Sequence, residues 1–479
     1  MSTNNIMDFV VNTSYESLPK GLARSTRFSI LDTIGAALDG VEMLMDSGQP
    51  THTKRYKRNG KEAFIIGTRY RVTAEEAFWN NSRSCSLYDQ DGIPVPAAAY
   101  PGRQVILATL AAAEKLDASI QDAVTVFVIS YELLLRTGYA VRDIGWPPSS
   151  PYPSKTLSPY CFTVPGVAGI AFRLVLPALE TGGVSLIGGK VSSYQAVRDT
   201  QSSAERYWNQ NQNARLPLLT ETFRLLQNGT DSGLFPVQIA NTSIIDKIAE
   251  KIANSDQLTY SLGQTYLLEQ QGFKPALINR YLHHPLAAVK QALEKEPLDI
   301  DSIKALKLKG LWPMILWATK FSQKEAHRLM ALLLVFLGTG VDPEVPLVLN
   351  GPFNTDKLGR LKAKIRFEKD DYCWLDWLSE SHDFPFSASL RLYSGVRKEA
   401  RVIGNIYEIK DLSTRKQLTN HFKYRSDIIG EESGKQLSGM LRSNADFAVT
   451  DLMRLTGITW RDSMRKSLSN LFLHPEPDD

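Results

Sequence analysis

The sequence predicts a mainly α protein with a smaller α+β portion set into it. Three observations carry that prediction. Apolar residues recur at three- and four-residue spacing through most of residues 18–179. The pattern changes to period two around residues 363–367 and 388–393, and helical spacing returns from about Arg415. A helix–strand–helix–strand–strand order between two helical portions fits an inserted α+β unit. The expected division is 1–271 helical, 272–412 α+β and 413–479 helical again.

The elements follow in order. Leu22, Phe28, Ile30, Leu31, Ile34 and Leu38 read as an amphipathic helix from Leu18 to Gly40, and Gly35, Ala36 and Ala37 give it one small side. Ala63 to Gly67 is strand-like and ends in a turn. Thr73 then stands before Glu75 and Glu76 as a helix N-cap with an acidic first turn, opening a helix to about Leu87. Tyr88 to Gly102, with its aspartates, prolines and glycines, is a loop. Val105–Leu116, Ile120–Arg136 and Gly166–Leu179 read as helices, which makes the first half a helical assembly. Gly182 to Gly233 is more polar, and its periodicity sets no register. Beyond Gly272, Pro285–Lys295 and Ala326–Leu337 read as helices and Ile303–Leu308, Ala363–Phe367 and Ala388–Tyr393 as strands. Gln417–Phe422, Gly434–Leu441 and Phe447–Leu455 are the closing helices.

Composition narrows the function. In 479 residues, 55 Lys and Arg stand against 51 Asp and Glu, a net charge of +4. The one basic cluster, Lys54-Arg55-Tyr56-Lys57-Arg58, reads as a solvated loop, so nucleic acid is not the expected partner. Cys85, Cys161 and Cys373 are dispersed, with neither C-x-x-C spacing nor a disulfide framework, which points to a reduced compartment. Among the seven histidines no H-x-x-x-H or H-E-x-x-H pair occurs, so no metal is expected. Gly182-Gly183 and Gly188-Gly189 lack dinucleotide-loop spacing, and no G-x-S-x-G elbow is present. The apolar runs are too short to span a bilayer, and Met1–Val11 carries no targeting pattern. The expectation is a cytoplasmic protein without a cofactor.

The loop Tyr88-Asp89-Gln90-Asp91-Gly92 through Tyr100-Pro101-Gly102-Arg103 is the first candidate site. Its carboxylates can hold or move protons, and Arg103 can clamp a substrate carboxylate. The bland alternative is a capped surface turn, where Asp and Gly are expected in any case. His283-His284-Pro285 is the second. On an extended segment the two imidazoles point to opposite faces, so only one would enter a cleft.

The order of these segments resembles the MmgE/PrpD family, which includes 2-methylcitrate dehydratase, cis-aconitate decarboxylase and related epimerases. The resemblance begins at Arg27–Gly40 and runs through Ile66-Gly67-Thr68 and Thr73–Ala77. It continues in Leu87–Gly92 with Tyr100-Pro101-Gly102 and the Ala-rich helix to Glu114. His284-Pro285 with Ala287, Ala288, Ala292 and Leu293 is similar to the helix opening the family's smaller domain, and Leu418–Phe422 and Ile429–Glu432 to its closing helices. The family implies a large all-helical domain built from both chain ends plus a smaller α+β lid, a homodimer, a cleft between the domains, and neither cofactor nor metal.

By that resemblance Asp89, Tyr100 and His284 are the catalytic candidates, and Asp91, Arg103, Tyr160 and Lys274 the substrate-binding ones. The pattern is altered. Tyr100 stands where the family has His-Pro-Gly, Tyr160-Cys161-Phe162 where it has a histidine-containing stretch, and Ser322–Glu325 lacks the family's tyrosine. Lys274 is the counterpart of its second lysine motif. The implied activity is a lyase on a polycarboxylic, citrate-, aconitate- or alkylcitrate-like acid, dehydration foremost, in a specialised pathway. An isomerase or cyclase with a less charged substrate, or an inactive binding homologue, are the alternatives.

Overall fold

A computed structural model describes residues 9, 12–46, 61–86, 105–143, 259–274, 282–293, 299–310, 318–319, 323–338, 355–369, 386–402 and 410–458. These residues are helix-rich with small sheets, mainly α with some β. The chain divides into two compact units, with boundaries between Gln271 and Gly272 and between Glu408 and Ile409.

The first unit is organised around α1 (Lys20–Asp46). The expected amphipathic helix is in fact enclosed on every side, because all positions from Ser25 to Val41 are buried, Arg27, Asp32 and Asp39 among them. A helix buried all round needs partners for its polar groups rather than a wet face. Its small side serves close packing. A Cβ on Gly35 would meet Arg425 Cδ at 2.9 Å, and one on Gly40 would run into the Ser84 carbonyl.

A two-stranded hairpin follows, β1 (Ala63–Phe64) and β2 (Arg71–Val72), then α2 (Ala74–Ser86). Thr73 caps α2 as its sequence position suggests: Thr73 Oγ1 accepts from the Glu76 N–H at 3.2 Å, and Glu62 Oε2 accepts from the Ala74 N–H at 2.9 Å. After α3 (Leu107–Lys115) comes α4 (Ile120–Asp143). Ser119 and Asp122 start α4 with reciprocal side-chain-to-backbone bonds, each 3.2 Å. The closing helices are α8 (Leu412–Arg425), α9 (Glu431–Arg442) and α10 (Val449–Arg454), numbered after the second unit's helices. They pack within this same unit. Arg27 Nη1 donates to the Ser443 and Ala445 carbonyls, both at 3.0 Å, and the Ile120 N–H donates to the Phe447 carbonyl at 2.9 Å.

The second unit carries α5 (His283–Leu293), β3 (Ile303–Gly310), α6 (Gln323–Gly338), α7 (Thr355–Lys364), β4 (Ile365–Lys369), β5 (Phe386–Leu392) and β6 (Arg397–Val402). The strands form one sheet in the order β4-β3-β5-β6, with β3 and β4 parallel and the other pairs antiparallel. Leu306, Leu308, Ile365, Phe367, Ala388 and Leu390 bury one face, where α5 packs on β5 and β6 and the His327 ring meets Phe367 edge-on at 5.1 Å. The expected strand at Ala363 begins two residues later, since Ala363 and Lys364 finish α7.

Candidate functional site

Of the seven site residues expected from sequence, two lie among the described residues. Asp89, Asp91, Tyr100, Arg103 and Tyr160 lie outside them, as do the basic cluster at Lys54–Arg58 and the helix at Gly166–Leu179. Lys274 and His284 belong to the second unit.

His284 occupies the first turn of α5, directly before Pro285. Proline suits that turn, because the first helical N–H groups have no intrahelical acceptor. The helix therefore starts two residues earlier than the periodicity indicates. His283 and His284 are helical rather than extended, and their side chains diverge by about 100° instead of pointing to opposite faces. Both are buried, at 2% and 5% exposure. The His284 ring stacks on Phe386 of β5, with centroids 4.8 Å apart and planes 30° apart. Stacking restricts the plane of the imidazole, and an imidazole is a group that can give or take a proton near neutral pH. Lys274 is 1% exposed.

The first unit holds buried carboxylates that sequence reading did not single out, Asp32, Asp39, Glu114 and Glu132 among them. Asp32 Oδ1 accepts from Arg425 Nη1 at 2.9 Å, while Asp39 Oδ2 lies 2.9 Å from Arg425 Nε. One guanidinium thus serves two acids. Burial pushes Asp39 up to about 7 against the opposing pull of Arg425. For Arg425 burial disfavours the charge, but Asp39 and Asp32 outweigh it and hold the guanidinium protonated. Glu114 of α3 accepts from the Phe64 N–H through both oxygens, at 3.2 and 3.0 Å, and burial raises it to about 8. Glu132 of α4 accepts from the Leu268 N–H at 2.9 Å and lies 3.5 Å from Arg136 Nε, and burial raises it to about 7.

Each of these four carboxylates joins segments distant in sequence, and each is engaged by its neighbours, so they act as fastenings of the helical core. Separations of 393 residues for Asp32, 50 for Glu114 and 136 for Glu132 explain why no local pattern reveals them. Among the described residues no cluster of His, Cys, Asp and Glu could hold a metal ion, and no helix is long and apolar enough to cross a membrane.

A buried, all-round-enclosed helix clasped by the closing helices, and a sheet-bearing unit with a buried, stacked histidine and a buried lysine, define a helix-rich protein with small sheets. The family model of the MmgE/PrpD N-terminal domain matches residues 4–147, which supports membership of the chain in the MmgE/PrpD family. Members of that family are typically lyase-type enzymes, generally dehydratase-like, with 2-methylcitrate dehydratase as an example. No curated protein matches the chain.

Proposed function

We propose that the protein is a cofactor-independent lyase that removes water from a polycarboxylic acid of the citrate, aconitate or alkylcitrate type. The match of residues 4–147 to a family of dehydratase-like enzymes carries this reading. The burial of Lys274 and the stacked setting of His284 support it. Elimination of water α,β to a carboxylate needs three things: a cation to neutralise the carboxylates, a base for the α-proton, and an acid for the departing hydroxyl. Lys274 and Arg103 supply the charge. His284 or Asp89 takes the proton from carbon, the C–O bond breaks, and Tyr100 protonates the leaving oxygen to release water. Asp91 and Tyr160 complete the proposed substrate-binding set.

Tyr100 and Tyr160 stand where the family has histidine-bearing stretches, and this favours a second reading. In it the same scaffold is an isomerase or cyclase whose substrate carries less charge. The site test is direct. Asp89→Asn is near-isosteric and should lower turnover about a hundredfold or more with folding intact, the scale of a lost general acid or base. Tyr100→Phe should do the same if the phenol is the acid. Folded variants that both keep full activity overturn the assignment. A gain of dehydration in Tyr100→His marks a redirected lyase.

A further inference from the structure

The face of the four-stranded sheet opposite α5 bears a concentration of positive charge assembled from all four strands. The register pairs Lys307 with Arg366 and Ser389, Lys309 with Glu368 and Ser387, Ser389 with Glu399, Ser387 with Arg401, and Arg391 with Ala305 and Arg397. All therefore share one face. Lys307, Lys309, Arg366, Arg391, Arg397 and Arg401 are exposed. Among the described residues, six cations at these strand positions stand against two carboxylates, an excess equal to the +4 of the whole chain. The rest of the sequence is neutral on balance.

We propose that this face is a docking surface for an acidic polypeptide segment. Charge complementarity selects the sign of the partner, and the make-up of the face selects its class. Among the described residues its paired strand positions carry no aromatic side chain on which a base could stack and no bulky apolar one to enter a lipid surface; the one exposed ring beside them, Tyr393 just past β5, already has Lys364 Nζ 5.1 Å from its centroid. Its residues between the cations are Ala305, Ser387 and Ser389, which keep it flat. Glu368 lies 3.0 Å from Lys307 Nζ and Glu399 2.6 Å from Arg397 Nη2. Such carboxylates repel a run of phosphates but can pair with a lysine or arginine in a mainly acidic peptide. The spacing also agrees. Cations at alternate positions of one strand repeat every ~6.6–6.8 Å, the same interval as same-side acidic residues of an extended peptide. Lys307 keeps half its side chain in water and Arg397 64%, so the contact is a steering, salt-sensitive one.

The test uses the full chain and fluorescein-labelled poly-L-glutamate, followed by anisotropy at low and high salt. A single-stranded oligonucleotide and anionic vesicles are the comparators. Binding of polyglutamate at low salt should be lost at high salt. It should weaken about tenfold or more in the double variant Lys309→Glu/Arg391→Glu. Lys435→Glu on α9, the same kind of reversal in the other unit, should leave it within about twofold. Far-UV circular dichroism checks that the variants are folded. No binding of polyglutamate, equal weakening by both variants, or tighter binding of the oligonucleotide or vesicles would each overturn the proposal.

Discussion

In the helical unit Arg425 lies 2.9 Å from both Asp32 and Asp39 and is 3% exposed, whereas in the sheet-bearing unit Lys307 lies 3.0 Å from Glu368 with half its side chain in water. The distances are nearly equal and the consequences are not. The buried cluster has given up hydration, so each member depends on the others, and removal of one leaves an uncompensated charge. The exposed pair has given up little, and water replaces either partner. The first unit uses charge as internal fastening at junctions of distant segments. The second lays it on a face.

Several substitutions sharpen that contrast. Arg425→Met should be the most damaging, costing about 3–5 kcal/mol near neutral pH by stranding two carboxylates. Denaturant unfolding should show a smaller loss in acid, where Asp39 can take up a proton. A cost below about 1 kcal/mol would remove the cluster from the list of fastenings.

The wild-type protein should lose stability as pH rises from about 5 to about 8.5. Asp39 rises from 3.8 to about 7, Glu132 from 4.5 to about 7 and Glu114 from 4.5 to about 8 on folding. A carboxyl whose folded pKa lies above its unfolded value binds the extra proton in the folded state. Its contribution is complete below the unfolded pKa and disappears as pH passes the folded one. The slope approaches about 1.4 kcal/mol per pH unit for each such group. Glu114→Gln keeps an oxygen for the Phe64 N–H and removes the titration, so the alkaline part of the slope should flatten; an unchanged slope contradicts the assignment. Lys307→Ala on the open sheet face should shift the midpoint least, by about 0.5 kcal/mol or less, and a larger loss would show that its pairing with Glu368 is structural.

Local elements were legible where local physics decides them. The cap at Thr73, the apolar spacing of α1 and the alternation in β5 all translate directly into structure. What escaped depends on neighbours remote in sequence. Asp32 and Asp39 read as ordinary polar positions of an amphipathic helix until Arg425 is brought beside them. The strand β6, Arg397–Val402, has hardly an apolar residue and is exposed at alternate positions, so periodicity passes over it. The helix α7 is polar and leads straight into β4, which shifted the expected strand start. The basic face is invisible in the chain because each strand supplies only one or two of its cations.

The central claim is the reaction, and one measurement bears on it most directly. The protein, after dialysis against a chelator, is incubated with citrate-, aconitate- and alkylcitrate-type acids, and loss of water or carbon dioxide is followed by mass spectrometry. The account predicts release of water from at least one of these acids, reduced about a hundredfold or more in folded His284→Asn. Silence of the wild-type protein across the whole panel, or undiminished turnover in His284→Asn, would contradict it.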